Sequence, residues 1–163
     1  MGRRVLVTID LDSIASWAAT YGVRLAARLE EAVALILVSS SLGCGGKAES
    51  AQLSLEGLSK DQRLWLDHVV RECQREGVSV EIYYSCGSFF EEVIRFIQSQ
   101  SSIQFVVVGV PRDFGKGSDP LFSSALKRLH HVFGGEILLV WEKGRVTRLA
   151  NSRLQNPEIG KET

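Results

Sequence analysis

The sequence predicts an α/β domain: a doubly wound, five-stranded parallel sheet of strand order 3-2-1-4-5 with helices on both faces, Rossmann-like in plan. Three observations predict it. Short, continuously apolar, β-branched runs mark strands covered on both faces. Segments with 3.6-residue periodicity separate them, so strands and helices alternate, and right-handed crossovers then build a parallel sheet. The chain has 163 residues, 45% hydrophobic and 23% charged, a size and composition that suit one core without staples.

Val5-Leu6-Val7-Thr8-Ile9 is the first buried strand and ends in Asp10. A helix follows, with Ile14, Trp17, Ala18, Tyr21, Leu25 and Leu29 on one face. Asp12 and Ser13 are candidate caps for it. Val33 to Val38 is the second strand, and residues 39 to 57, rich in glycine and serine, read as a long mobile loop. Ser59-x-x-Gln62 has capping-box spacing and opens a helix carrying Trp65, Val69 and Cys73, with Gly77 placed to stop it. Val78 to Tyr84 alternates apolar and polar residues, the mark of an edge strand. Ser88-x-x-Glu91 is a second capping-box spacing before a helix with Phe90, Val93, Ile94 and Ile97 inward. Ile103 to Val110 forms the fourth strand. A polar loop from Pro111 to Ser118 leads to a helix from Asp119-Pro120 to Phe133, with Gly134 as its stop. Glu136 to Trp141 is the fifth strand. The domain spans residues 1–143, and residues 144–163 form a tail without a core pattern.

Several function classes are excluded by composition. Nineteen basic residues balance nineteen acidic ones, which removes the excess cation on which nucleic-acid affinity rests. No apolar run approaches a membrane span of about 20 residues, and no leader pattern precedes the first strand, so the expectation is a cytoplasmic protein. Cys44, Cys73 and Cys86 form no metal-binding spacing and are expected as reduced thiols. His68, His130 and His131 read as surface or boundary residues, and no nucleophile–base pair or catalytic motif emerges. The expected activity is therefore non-catalytic.

In open sheets of this kind ligands sit beyond the carboxyl ends of the strands where the strand order reverses. That places the candidate site at Asp10 to Ser13 after the first strand and Gly109 to Ser124 after the fourth. Asp10 can accept hydrogen bonds from a ribose or a base, or simply be solvated beside a helix cap. Gly109, Arg112, Gly115, Lys116, Gly117, Ser123 and Ser124 combine close-approach glycines, positive charge and hydroxyl donors, the ingredients of an anion site. The same residues also describe an ordinary basic surface loop.

The opening Val5-Leu6-Val7-Thr8-Ile9-Asp10, the fourth strand Phe105-Val106-Val107-Val108-Gly109 and the closing Glu136-Ile137-Leu138-Leu139-Val140 resemble the universal stress protein family over residues 3 to 142. The ATP-binding members carry Gly-x2-Gly-x9-Gly-Ser/Thr after the fourth strand and an Asp at the end of the first. Asp10 and Gly109 match. The second glycine falls on Arg112 and the third on Phe122, followed by Ser123; alignment from the last strand gives Ser123-Ser124 instead. Val38 matches the position that packs on adenine. The resemblance implies a regulatory stress-response protein with weak or lost nucleotide binding, the alternative being an ATP- or AMP-binding protein using this loop. It also implies a homodimer through the fifth strand, Ile137, Leu138, Leu139, Val140 and Trp141, whose apolar edge needs covering by another subunit or by the tail. Between positions 112 and 153 eight Lys and Arg face four Asp and Glu, a local positive balance compatible with a phosphate, an acidic partner or a solvated face.

Overall fold

The computed structural model describes residues 2–40, 58–112 and 120–149. Its elements in chain order are β1 (Arg4–Asp10), α1 (Ser16–Leu29), β2 (Ala32–Ser39), α2 (Lys60–Glu76), β3 (Val80–Cys86), α3 (Phe89–Gln98), β4 (Ile103–Gly109), α4 (Pro120–Val132), β5 (Glu136–Val140) and β6 (Val146–Arg148). They form one sheet of order β3-β2-β1-β4-β5-β6. The predicted order of the first five strands is therefore correct. The sheet gains a sixth strand, antiparallel to β5, with Leu138 opposite Arg148 and Val140 opposite Val146.

β1 sits at the reversal of strand order. It runs parallel to β2 from Arg4–Ala32 to Asp10–Val38 and parallel to β4 from Val5–Phe105 to Thr8–Val108. Because successive strand residues face opposite ways, β1 feeds two core layers. Val5, Val7 and Ile9 pack with Val33, Leu35 and Leu37 under α1 and α2. Leu6, Ala34, Ile36, Val106 and Val108 pack under α3 and α4, against Val93, Ile97, Leu126 and Leu129. Thr8 is buried, and its hydroxyl donates to the Val107 carbonyl at 2.9 Å, so the one polar group inside β1 is satisfied across the strand pair.

Helix starts follow the sequence unevenly. Ser59 and Gln62 form the expected capping box. Ser88 stands at the N-cap of α3, but its side chain makes no cap hydrogen bond. Neither Asp12 nor Ser13 caps α1, which starts after an N-cap Ala15. The Asp12 carboxylate instead accepts from the Ser40 amide at 3.1 Å and from the Ser40 hydroxyl. That cross-link between the chain ends after β1 and β2 takes the acceptor a cap would need.

Two further expectations are corrected. Residues 144–163 are not all outside the core: β6 covers the outer edge of β5, and Thr147 and Leu149 are buried. The edge carried unused backbone donors and acceptors, and the nearest following segment satisfies them. The second correction concerns the thiols. Cys73 is free and buried, but Cys86 is disulfide-bonded. Parallel pairing sets Cys86 beside Ser39. Most of the loop read between residues 39 and 57 lies outside the described residues.

The approach of α1 to the sheet depends on a missing side chain. A Cβ on Gly22 would lie 2.3 Å from Val7 Cγ2. Gly22→Ala should therefore destabilise the fold by about 1–2 kcal/mol, overpacking outweighing the gain in helix propensity. Adding Val7→Ala removes the obstructing methyl, so denaturant unfolding of the double variant should show a loss smaller than the sum of the two single losses.

Candidate functional site

The loops after β1 and β4 meet, as neighbouring strands require, and enclose an open cleft of about 920 Å³ at the carboxyl ends of the strands. Thr8, Asp10 and Gly109 form its floor. The β1–α1 loop and the start of α1 supply Ser13, Ala15 and Trp17. The first turn of α3 supplies Phe89 and Phe90, and α4 supplies Leu121, Ser124 and Arg128, with Arg112 beside them.

Asp10 is held in a tight turn. Its Oδ1 accepts the Asp12 amide at 3.0 Å, and its carbonyl accepts the Ser13 amide at 3.0 Å. Burial pushes its carboxyl above the usual range; the Asp12 amide opposes the shift and the Asp12 charge adds to it. Asp10 thus presents a partly desolvated carboxylate to the cleft, suited to hydroxyl or amine donors.

Gly109 has an unexpected role. A Cβ there would lie 2.5 Å from Ala15 Cβ and 3.2 Å from Ala18 Cβ. The space glycine leaves open is filled by the start of α1. Arg112 is similarly committed: its guanidinium lies 5.3 Å from the centre of the Trp17 ring and Nη2 is 2.9 Å from Glu142 Oε2. The cation is thus matched by a carboxylate from the turn after β5 and by an aromatic face.

Of the remaining predicted site residues, Ser124 lines the cleft, whereas Ser123 does not. Val38 is buried among Ala34, Ile36 and Val93 and is absent from the cleft wall. Gly115, Lys116 and Gly117 lie outside the described residues. No cluster of metal-ligating side chains occurs among the described residues, and none of the described helices is long and apolar enough to cross a membrane.

Sequence reasoning missed the aromatic wall. Phe90 meets Phe89 edge-on at 4.9 Å and Phe122 at 5.6 Å between ring centres. Trp17 adds an indole whose Nε1 is buried without a hydrogen-bond partner among the described residues. Trp17 and Phe90 sit on helical stripes that read as core, and only the ends of those stripes reach the cleft.

No family model matches this sequence, and no curated protein matches it. Solved structures do. A universal stress protein from Archaeoglobus fulgidus superposes with a TM-score of 0.56 at 12% identity, over 85% of this chain and 98% of the other. A universal stress protein in complex with cAMP gives 0.58 at 12% identity, over 86% and 98%. The universal stress protein UspA from Lactobacillus plantarum gives 0.54 at 16% identity, over 84% and 96%. The chain has the universal stress protein fold, with β6 added to the expected five strands.

The buried Asp10 gives a direct prediction. Its folded pKa lies above the ordinary aspartate value of 3.8, so between those two values the native state holds more protons than the unfolded one. Stability therefore falls as pH rises through that window and stays lowered above it. Asp10→Asn keeps an acceptor for the Asp12 amide and removes the charge. The variant should be more stable than the parent at pH 7, with the difference shrinking toward pH 3.5 in denaturant titrations.

Proposed function

We propose that this protein is a non-catalytic regulatory protein of the stress-response type whose cleft has lost tight binding of nucleotide polyphosphates. The observation that carries the reading is the state of Gly109 and Arg112. The opening at Gly109 is filled by Ala15, and Arg112, standing where ATP-binding relatives carry glycine, is spent on Glu142 and Trp17. A phosphate chain would find neither free cation nor open backbone at these two points. The cleft's aromatic wall and the Asp10 carboxylate still favour a small planar ligand with hydroxyl or amine donors.

Specific observations favour a second reading, in which ATP or AMP binds through the loop after β4. Ser124 and Arg128 line the cleft, and a structural neighbour was solved with cAMP. We also propose a homodimer, formed along β6 rather than through Ile137 to Trp141, because β6 takes the outward hydrogen bonds of β5.

Thermal and denaturant unfolding with AMP, cAMP and ATP separates the readings. A ligand at 100 times its dissociation constant stabilises by ~2.7 kcal/mol. With millimolar nucleotide the expected gain is below ~0.4 kcal/mol, corresponding to a nucleotide concentration at or below the dissociation constant. A gain of ~2.7 kcal/mol or more with ATP, abolished by Ser124→Ala with Arg128→Gln, would establish the second reading instead. Arg112→Gly should raise ATP affinity by clearing the backbone and exposing the Trp17 face. Unchanged affinity would remove Arg112 as the obstacle.

A further inference from the structure

Adjoining the cleft, α3 and α4 leave a groove of about 530 Å³. Glu91, Ile94, Arg95 and Gln98 line one wall, at the i, i+3, i+4 and i+7 positions of a single helix face. Lys127, Arg128, His131 and Val132 form the other wall. Ile94 is half-buried, and Val132 is 38% exposed although apolar.

Charge along the rim is lopsided. Arg95 pairs with Glu92 at 3.1 Å, but Lys127 and Arg128 make no ion pair with any described residue. Among the described residues Glu91 is the one carboxylate lining the groove, and it stands at one end, in the first turn of α3. The positive balance seen in the sequence after position 112 is thus concentrated, in part, along an apolar furrow.

The geometry points to this groove as a docking site for an acidic amphipathic helix from a partner protein. Two packed helices leave a furrow that a third can enter with its apolar ridge. From Glu91 to Gln98 the wall runs about 10 Å, or two turns, so the partner contributes apolar residues at i, i+3 or i+4, and i+7. Asp or Glu on its flanks meet Lys127 and Arg128. A second copy of this chain is the poorer occupant, since a two-fold contact would set those cations against their own copies. Glu91 and Arg128 line both the cleft and this groove, so the groove is tested with the cleft free of nucleotide.

The test uses the full chain and a synthetic helix of about 15 residues, long enough to hold some helicity, with leucines at i, i+3, i+4 and i+7 and glutamates alongside. A sister peptide carries lysines in place of the glutamates. Fluorescence anisotropy should give a dissociation constant of ~10–100 μM for the acidic peptide, weakening as salt rises, and none measurable for the basic one. Lys127→Glu should weaken binding by ~5-fold or more, and Val132→Asp should abolish it. Amide chemical shifts should confirm that both variants remain folded and that the peptide contacts α3 and α4. Equal binding of both peptides, binding unchanged by both substitutions, or shifts confined to other elements would overturn the proposal. So would dimerisation that protects this groove, or binding to phosphatidylserine vesicles without binding to the acidic peptide.

Discussion

The close approach of α1 to the sheet is the constraint on which the rest of this molecule depends. α1 crosses β1 and the tip of β4 at a distance that only glycine permits: Gly22 clears Val7, and Gly109 clears Ala15 and Ala18. Because β1 is hydrogen-bonded to both β2 and β4, lifting α1 would loosen the layer under both halves of the sheet. The same contact sets the depth of the cleft, for Ala15 and Trp17 are at once packing residues of α1 and part of the cleft wall. Fold and site share these atoms, and neither can shift without the other.

Several charges near the cleft are engaged by neighbouring side chains. Arg112 is balanced by Glu142, and Asp12 is engaged by Ser40. At the opposite end of β1, Arg4 ties β3 to the chain after α3, through Glu81 at 2.7 Å and Ser102 at 2.9 Å. The Tyr83 hydroxyl and Arg4 together hold the Glu81 carboxyl below its usual range. Charges bound in this way orient loops and strand ends more than they attract ligands. Lys127 and Arg128, which make no ion pair with a described residue, lie on α4 beside the α3 groove, with Arg128 also lining the cleft, which explains how a chain of zero formal charge can still carry a locally basic surface.

Much of this was legible in the sequence because apolar runs and helical stripes report burial directly. The order of five strands, the capping box at Ser59 and the meeting of Asp10 with Gly109 all follow from such patterns. The rest was not legible, for identifiable reasons. β6 has three residues, one of them Arg148, too few to show a period, and it satisfies the open edge of β5. Glycine at position 109 reads equally as room for a phosphate or room for a helix, and only three-dimensional packing reveals Ala15 in that space. The Cys86 disulfide is recorded by no cysteine spacing along the chain. Phe89 and Phe90 reach the cleft because α3 begins at Phe89, a boundary that the Ser88 spacing suggested without revealing which side chains would face inward to the site.

Asp10 shows how structural and functional requirements separate. The turn after β1 needs an acceptor for the Asp12 amide, and a neutral amide side chain would also supply one. The Asp12 amide favours the charged form, but the burial of that charge outweighs it and lowers stability wherever Asp10 is ionised. Asp12, two residues on, adds like-charge repulsion. The fold alone therefore gives no reason for a carboxylate at this position. On the proposed reading the reason lies in the cleft: a ligand with hydroxyl or amine donors replaces the water that burial removed from Asp10, so the charge that weakens the empty domain becomes a point of attachment when the cleft is filled.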